Sequence, residues 1–153
     1  CSPDRKIIAI DYDENKTATA ENCKLMKDCH VRFVTSDALA CDYEPSDVFI
    51  ISDMLHYLTR ERQKDLINKC LEKLNAGGSL IIRDSDALLK KRHLGTRLSE
   101  FLSTRIGFNK TMNKLSFVSR DFIESIATAN ELNLQIIDKS RYTSNVIYIL
   151  KRK

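Results

Sequence analysis

Apolar and polar positions along this chain alternate between two periods, about two residues and about three and a half. Lys6-Ile7-Ile8-Ala9-Ile10 is a continuous apolar run of the kind that forms a strand covered on both faces, and it ends in Asp11-Tyr12-Asp13. Asp13 is placed to cap a helix and Glu14 to sit in its first turn, so a helix is expected from there to about Lys27, with a thin apolar face of Ala18, Leu25 and Met26. Val31-Arg32-Phe33-Val34 reads as a second strand and ends at Thr35-Ser36-Asp37. After a loop containing Pro45, Asp47 to Asp53 reads as a third strand, again of the buried type.

Thr59 caps the most strongly periodic helix, in which Leu66, Ile67, Cys70, Leu71 and Leu74 share one face. Asn75-Ala76-Gly77-Gly78 is expected to end it and turn the chain, because glycine takes the left-handed conformation common at helix exits. Ser79 to Arg83 follows as a strand and delivers Asp84. A further amphipathic helix carries Leu94, Leu98, Phe101 and Leu102, a loop runs from Gly107 to Lys114, and Ser119 caps a helix with Phe122, Ile123, Ile126 and Ala127 inward. Two strands, Leu134 to Ile137 and Val146 to Leu150, close the chain, and their connection is too short for a helical crossover, so they are expected to pair antiparallel.

Strands alternating with helices predict an α/β fold: a mostly parallel sheet with helices on both faces, right-handed crossovers and an antiparallel terminal strand. No internal repeat or linker breaks the pattern, which reads as a single domain over residues 1–153. At about this length a domain buries roughly 68–70% of the surface of its unfolded chain, so a core forms without disulfide or metal staples.

Composition narrows the picture. With 42% apolar and 30% charged residues, two Pro and four Gly, the chain is neither collagen-like nor low-complexity nor strongly disordered. No apolar run approaches the ~20 residues of a membrane span, so a soluble protein is expected. Five cysteines, odd in number and without a Cys-x-x-Cys pair, fit a reduced, cytoplasmic setting. Cys29-His30 lacks the second donor pair that a metal site needs, and no metal is expected. The 25 basic residues against 21 acidic ones give +4, dispersed and without aromatic interleaving, so nucleic acid is not an expected partner. The densest basic stretch, Leu88 to Arg97 with Lys90, Lys91, Arg92, His93 and Arg97, reads as a solvated helix face or as a contact for an acidic or phosphorylated substrate.

Chemistry concentrates at the strand ends. In open α/β sheets ligands bind beyond the carboxyl ends of the strands, and here those ends carry Asp11, Asp37, Asp53 and Asp84. A carboxylate there can accept from two vicinal ribose hydroxyls, the role suited to Asp11. A second one can accept from the exocyclic amine of adenine while the next backbone amide donates to a ring nitrogen, which suits Asp37 and Ala38. Any one of these aspartates can equally cap a helix or satisfy loop amides.

Lys6 to Asp13 followed by a helix, Val31 to Ala38, Ser46 to Leu58, and above all Leu71 to Asp84 with its Gly77-Gly78 resemble, in order, successive motifs of the class I S-adenosylmethionine-dependent methyltransferases. The resemblance implies a Rossmann-like sheet, S-adenosylmethionine as cofactor, and methyl transfer to a small-molecule or lipid-like acceptor. It implies that Asp11 holds the cofactor ribose, that Asp37 and Ala38 hold the adenine, and that Ser52-Asp53-Met54-Leu55 passes beside the methionine and methyl end. His56 stands where related enzymes often carry a Leu-His pair, and an imidazole titrating near ~6.5 can take the acceptor's proton or simply pack over the sheet end. Tyr12 and Tyr57 are candidates for cofactor or substrate contact and equally for rim packing.

The family's glycine-rich loop and the first strand before it would precede Lys6, where only Cys1 to Arg5 stand. The expectation is therefore a C-terminal portion of a longer methyltransferase domain, its first strand and helix missing, that binds cofactor poorly alone. Two other readings stay open. Asp11, Asp13 and Asp53 also resemble the acidic cluster and phosphoacceptor of a phosphorelay receiver, with Asp53 phosphorylated and Asp11 and Asp13 on magnesium, although no matching Lys-Pro follows. A non-catalytic Rossmann-like fragment is the third.

Overall fold

A computed structural model describes residues 5–23, 30–85, 116–138 and 145–152. The helix expected around Leu94 to Leu102, the basic stretch Leu88 to Arg97, the Gly107 to Lys114 loop and the last residues of the first expected helix, 24–27, lie outside them. The chain groups into two compact units, Cys1–Tyr43 and Glu44–Lys153.

In the first unit β1 (Lys6–Asp11) pairs in parallel with β2 (His30–Thr35), from Lys6 opposite His30 to Asp11 opposite Thr35. Between them α1 (Glu14–Glu21) starts at Asp13, whose carboxylate accepts the Asn15 N–H at 3.0 Å. This helix has almost no apolar face. Its one buried residue is Thr17, whose hydroxyl lies 2.7 Å from that of Thr35 and so ties α1 to β2. α1 stops at Glu21, short of Lys27, because both the backbone and the side-chain amide of Asn22 turn back onto the Ala18 carbonyl.

The second unit runs β3 (Ser46–Ser52), a 3₁₀ turn (Leu55–Tyr57), α2 (Arg60–Glu72), β4 (Leu74–Ser85), α3 (Arg120–Ala129), β5 (Asn133–Ile137) and β6 (Asn145–Lys151). Its sheet has the order β3-β4-β6-β5. β3 and β4 are parallel, whereas β6 is antiparallel to both β4 and β5. The α/β class and the antiparallel pairing of the last two strands hold. The expected mostly parallel arrangement is met in part: β1 with β2 and β3 with β4 pair in parallel, while β6 makes the four-stranded sheet mixed. The antiparallel strand is not at the edge: β6 lies between β4 and β5. The reason is hydrophobic, because Val146, Tyr148 and Leu150 of β6 are all buried, while β5 keeps Asn133 and Gln135 exposed.

One face of this sheet is the core. Ile51, Ile82 and Tyr148 stand side by side in register, as do Leu80 and Leu150, and all are buried. With them are buried Leu66, Ile67, Cys70 and Leu71 of α2 and Ile123, Ile126 and Ala127 of α3. The N-caps are as expected, Thr59 accepting from Arg62 N–H and Ser119 from Phe122 N–H.

The Gly77-Gly78 segment differs from expectation. α2 ends at Lys73 without a left-handed glycine, and β4 begins at once at Leu74, carrying Asn75 to Gly78 within the strand. Pairing jumps from Ser46 opposite Leu74 to Val48 opposite Ser79, so β4 bulges there, and Gly77 (φ +72°) takes the left-handed backbone that the bulge requires. Gly78 serves by its size: a Cβ on it would lie 2.8 Å from the Asp47 carbonyl oxygen. Among the described residues no helix is long and apolar enough to cross a membrane.

Candidate functional site

Parallel pairing sends the chain off β1 and β2 at the same end, and two of the predicted site residues stand there. Asp11 closes β1, half-buried, and its Oδ1 accepts the Asp13 N–H at 2.9 Å. The short turn thus holds the carboxylate by one oxygen, and among the described residues the other makes no hydrogen bond. The Asp11 carbonyl accepts the Ser36 N–H at 3.0 Å and anchors the exit of β2. Two residues past β2, exposed Asp37 makes a similar turn, its Oδ1 accepting the Leu39 N–H at 2.9 Å and its carbonyl the Ala40 and Cys41 amides. The Ala38 carbonyl accepts the Tyr43 hydroxyl at 2.7 Å, which pins that turn. Tyr12 is 51% exposed beside Asp11, and Asp13 is buried as the α1 cap.

In the second unit the ends of β3, β4 and β6 carry a separate polar cluster. Asp53 follows β3 in the left-handed region (φ +53°), a conformation that aspartate tolerates better than most residues. Its N–H donates to the Arg83 carbonyl at 2.8 Å, while its carboxylate accepts from the Arg83 guanidinium, from the Ser52 hydroxyl at 3.0 Å and from the Asn145 amide at 3.5 Å. Asn145 in turn accepts from the Ser85 hydroxyl at 3.0 Å. Arg83 and Asp53 remain 44% and 41% exposed, so this ion pair faces solvent and is worth little by itself.

Behind it lies a dry hub. Asp84 is wholly buried and accepts three hydrogen bonds, from Leu55 N–H (2.7 Å), Ser85 N–H (2.7 Å) and His56 Nδ1 (2.5 Å). His56, 1% exposed, has its ring between Tyr57 and Phe117, with centroids at 4.2 and 6.2 Å. Gln63, buried in α2, donates its amide to the carbonyls of Leu55 (2.9 Å), Leu58 (3.2 Å) and Ser116 (2.6 Å). The 3₁₀ turn is thus held from both sides. Leu55 reaches this site through its backbone, since its side chain is fully buried in the core.

The structure brings Asp11 and Asp37 to one sheet end in the first unit, and Ser52, Asp53, Leu55 and His56 to the end of β3 in the second. The sequence pattern did not single out Arg83, Asn145 or Gln63. Arg83 was discoverable, because it immediately precedes Asp84 and so takes the opposite face of the same strand end. Asn145 and Gln63 join through pairing and packing that no local spacing reveals. The receiver pattern fits less well, since a receiver's doubly wound sheet is mostly parallel in the order 2-1-3-4-5, whereas antiparallel β6 sits inside this one. Among the described residues no group of three metal-binding side chains converges.

No protein-family model and no curated protein sequence matches the chain. Its fold, however, matches solved structures throughout. It superposes on an O-methyltransferase family protein from Burkholderia thailandensis with a TM-score of 0.70 and 16% identity, covering 99% of this chain and 45% of that one. Magnesium protoporphyrin IX methyltransferase from Synechocystis PCC 6803 with bound SAH gives 0.68 and 14%, covering 97% and 64%. The N-methyltransferase NodS from Bradyrhizobium japonicum WM9, in complex with S-adenosyl-L-homocysteine, gives 0.65 and 16%, covering 96% and 66%. The chain therefore has the class I methyltransferase fold, and it spans about half to two thirds of the length of these proteins.

Proposed function

We propose that this chain is part of an S-adenosylmethionine-dependent methyltransferase that acts on a small-molecule or lipid-like acceptor. The observation that carries the reading is the pair of carboxylates, Asp11 and Asp37, delivered by parallel strands to one sheet end in a fold shared with two proteins solved with S-adenosylhomocysteine. The residues present fit that group. Asp11 is fastened by a single oxygen, so it keeps the acceptor capacity that a ribose diol needs. Asp37 is exposed, and the turn it begins presents Ala38 beside it for the adenine edge. Tyr12, 51% exposed beside Asp11, is assigned a contact with cofactor or substrate on the resemblance. Ser52, Asp53 and Leu55 are assigned the methionine end on the resemblance alone.

When bound, the sulfonium supplies an electrophilic methyl group, and the protein's contribution is chiefly alignment of the acceptor for in-line attack. His56 is assigned the proton that the acceptor loses. Asp84 accepts from Nδ1, which makes Nε2 the basic nitrogen of the neutral ring.

Titration calorimetry with S-adenosylhomocysteine on residues 1–153 and on any longer polypeptide of the same reading frame tests the reading. Binding that Asp11→Ala weakens about tenfold, the worth of a charge-assisted hydrogen bond, supports it. Binding that Asp11→Ala and Asp37→Ala both leave unchanged overturns it, as does no binding by either polypeptide. His56→Asn should lower turnover and spare cofactor affinity.

A further inference from the structure

A cleft of about 560 Å³ opens between α2 and α3, a size that holds small molecules. Its walls come from the later turns of the two helices, and Arg152, just past β6, also lines it. Arg152 N–H donates to the Gly78 carbonyl at 3.0 Å, in the first part of β4. Asp84 stands about 20 Å farther along that strand, at ~3.3 Å per residue. A molecule in this cleft therefore touches none of the groups at the strand ends.

Helix spacing sets one polar wall. Lys64, Asn68 and Glu72 recur at every fourth position, so they form a row along α2, about 12 Å from first to last at ~1.5 Å per residue. None of the three makes a side-chain hydrogen bond or ion pair among the described residues. Arg152 is held in place: its guanidinium donates to the Leu71 carbonyl at 3.2 Å and to the Leu74 carbonyl at 2.6 Å, and keeps further N–H groups for a ligand. It forms no ion pair with Glu72, the neighbour of Leu71. On the facing wall the Ser125 hydroxyl donates to the Phe122 carbonyl at 2.7 Å and the Asn130 amide to the Ile126 carbonyl at 2.9 Å, so both side-chain oxygens remain as acceptors. Leu71 and Ile126, each 4% exposed, supply the apolar floor.

The charges of this cleft are mixed. A simple anion meets the Glu72 carboxylate, a simple cation meets Lys64 and Arg152, and a neutral ligand leaves all three charges without a partner. We propose that the cleft binds a small zwitterion, an α-amino acid with an apolar side chain. Its carboxylate meets Arg152, its ammonium meets Glu72 and the Asn130 oxygen, and its side chain lies over Leu71 and Ile126. An ammonium only donates and a carboxylate only accepts, so the two ends of such a molecule match the two kinds of group present. A guanidinium already fixed by two carbonyls gives up little freedom on binding, which favours the complex. The inference goes beyond methyl transfer and does not depend on it.

Amide-resolved NMR on residues 1–153 tests it with three probes: L-leucine, isocaproate, which is leucine without its amine, and isoamylamine, which is leucine without its carboxylate. Leucine should shift the Asn68, Leu71 and Ala129 amides saturably, and each single-charge analogue should bind about tenfold or more weakly, the worth of one charge-assisted hydrogen bond. Glu72→Gln should weaken leucine about tenfold without weakening isocaproate, and Arg152→Met should weaken leucine and isocaproate alike. Arg152 also holds the end of α2, so the exposed Glu72 decides the matter if Arg152→Met loosens the helix. Saturating S-adenosylhomocysteine should leave leucine in place. The proposal is overturned if millimolar leucine shifts none of these amides, if either analogue binds as tightly, if Glu72→Gln changes nothing, or if S-adenosylhomocysteine displaces leucine.

Discussion

Asp84 shows why a carboxylate at a strand end is not by itself a ligand site. Its two oxygens are committed to Leu55 N–H, Ser85 N–H and His56, all inside the protein, whereas Asp11, also at a strand end, spends one oxygen on a turn. Burial makes the difference in cost. Asp84→Ala strands three buried donors and should lose about 3–5 kcal/mol, the range for breaking a buried ionic hydrogen-bonded group. Asp84→Asn keeps the shape and an acceptor, and should lose about 1–3 kcal/mol. Urea denaturation measures both, and equal small losses would show that the hub is not a closed network. Cys70 gives a pH prediction of the same kind. Burial against α2's core face pushes its thiol from an ordinary 9.0 up to about 12, with the Lys69 charge opposing more weakly. The folded state therefore holds this proton more tightly than the unfolded chain. The resulting stability is complete below about pH 9 and is lost as pH rises toward 12. Thiol labelling at pH 8 read by peptide mass should modify half-buried Cys23 and Cys41 well before Cys70. Labelling of all three at one rate would show that α2 opens freely.

At the scale of elements, the pair Gly77 and Gly78 separates two reasons for using glycine. Gly78→Ala places a methyl 2.8 Å from the Asp47 carbonyl and 2.9 Å from that of Asn75, both backbone atoms that cannot swing aside. The cost should be about 1–3 kcal/mol, as for overpacking generally. Gly77→Ala meets nothing within 4 Å and is left with the left-handed backbone alone, about 1–2 kcal/mol. Chevron or equilibrium unfolding distinguishes them, because only the first forces β3 and β4 apart and should raise amide exchange at Phe49 and Ser79. These glycines also mark the limit of what was legible beforehand. A helix followed by Gly-Gly and an apolar run reads as helix, turn and strand, and each helix and strand within the described residues overlaps a stretch that periodicity marked, although α1 ends at Glu21 and β4 already begins at Leu74. The bulge did not show, because it arises from the register between β3 and β4, and register is a relation between two strands rather than a property of one. For the same reason the place of β6 inside the sheet was missed: its alternating Val146, Tyr148 and Leu150 are equally compatible with an edge strand that buries one face. Site residues followed the same rule. Asp11, Asp37 and Asp53 were readable because each lies at or within two residues of its strand's end, whereas Gln63 joins the hub through a carbonyl 53 residues away.

The largest asymmetry of the molecule is where its core lies. Every buried apolar residue among those described, from Ile51 to Leu150, belongs to Glu44–Lys153. In Cys1–Tyr43 the buried residues among those described are Asp13 and Thr17, both polar, set on a two-stranded sheet and an eight-residue helix. Two strands without a hydrophobic face are marginal in water. Amide exchange on the whole chain should therefore be biphasic. Phe33 and Val34 in β2 should open with only about 1–2 kcal/mol, and Leu80 and Tyr148 should open only with global unfolding, whose range is about 5–15 kcal/mol. The weak unit is also the one that carries Asp11 and Asp37, and on the proposed cofactor assignment this couples its stability to ligand binding. A ligand gripped by those carboxylates binds only the ordered form of the first unit. S-adenosylhomocysteine at a hundred times its Kd should then raise the opening free energy of Phe33 and Val34 by about 2.7 kcal/mol, roughly a hundredfold slowing. Leu80 and Tyr148 report on the ligand through the second unit. If they slow while β2 does not, the adenosyl group is held at the β3 end and the assignment to Asp11 and Asp37 is wrong. If β2 slows and Asp11→Ala abolishes the effect while the exchange of Leu80 in the free protein stays the same, the loss belongs to the ligand contact and not to a damaged fold.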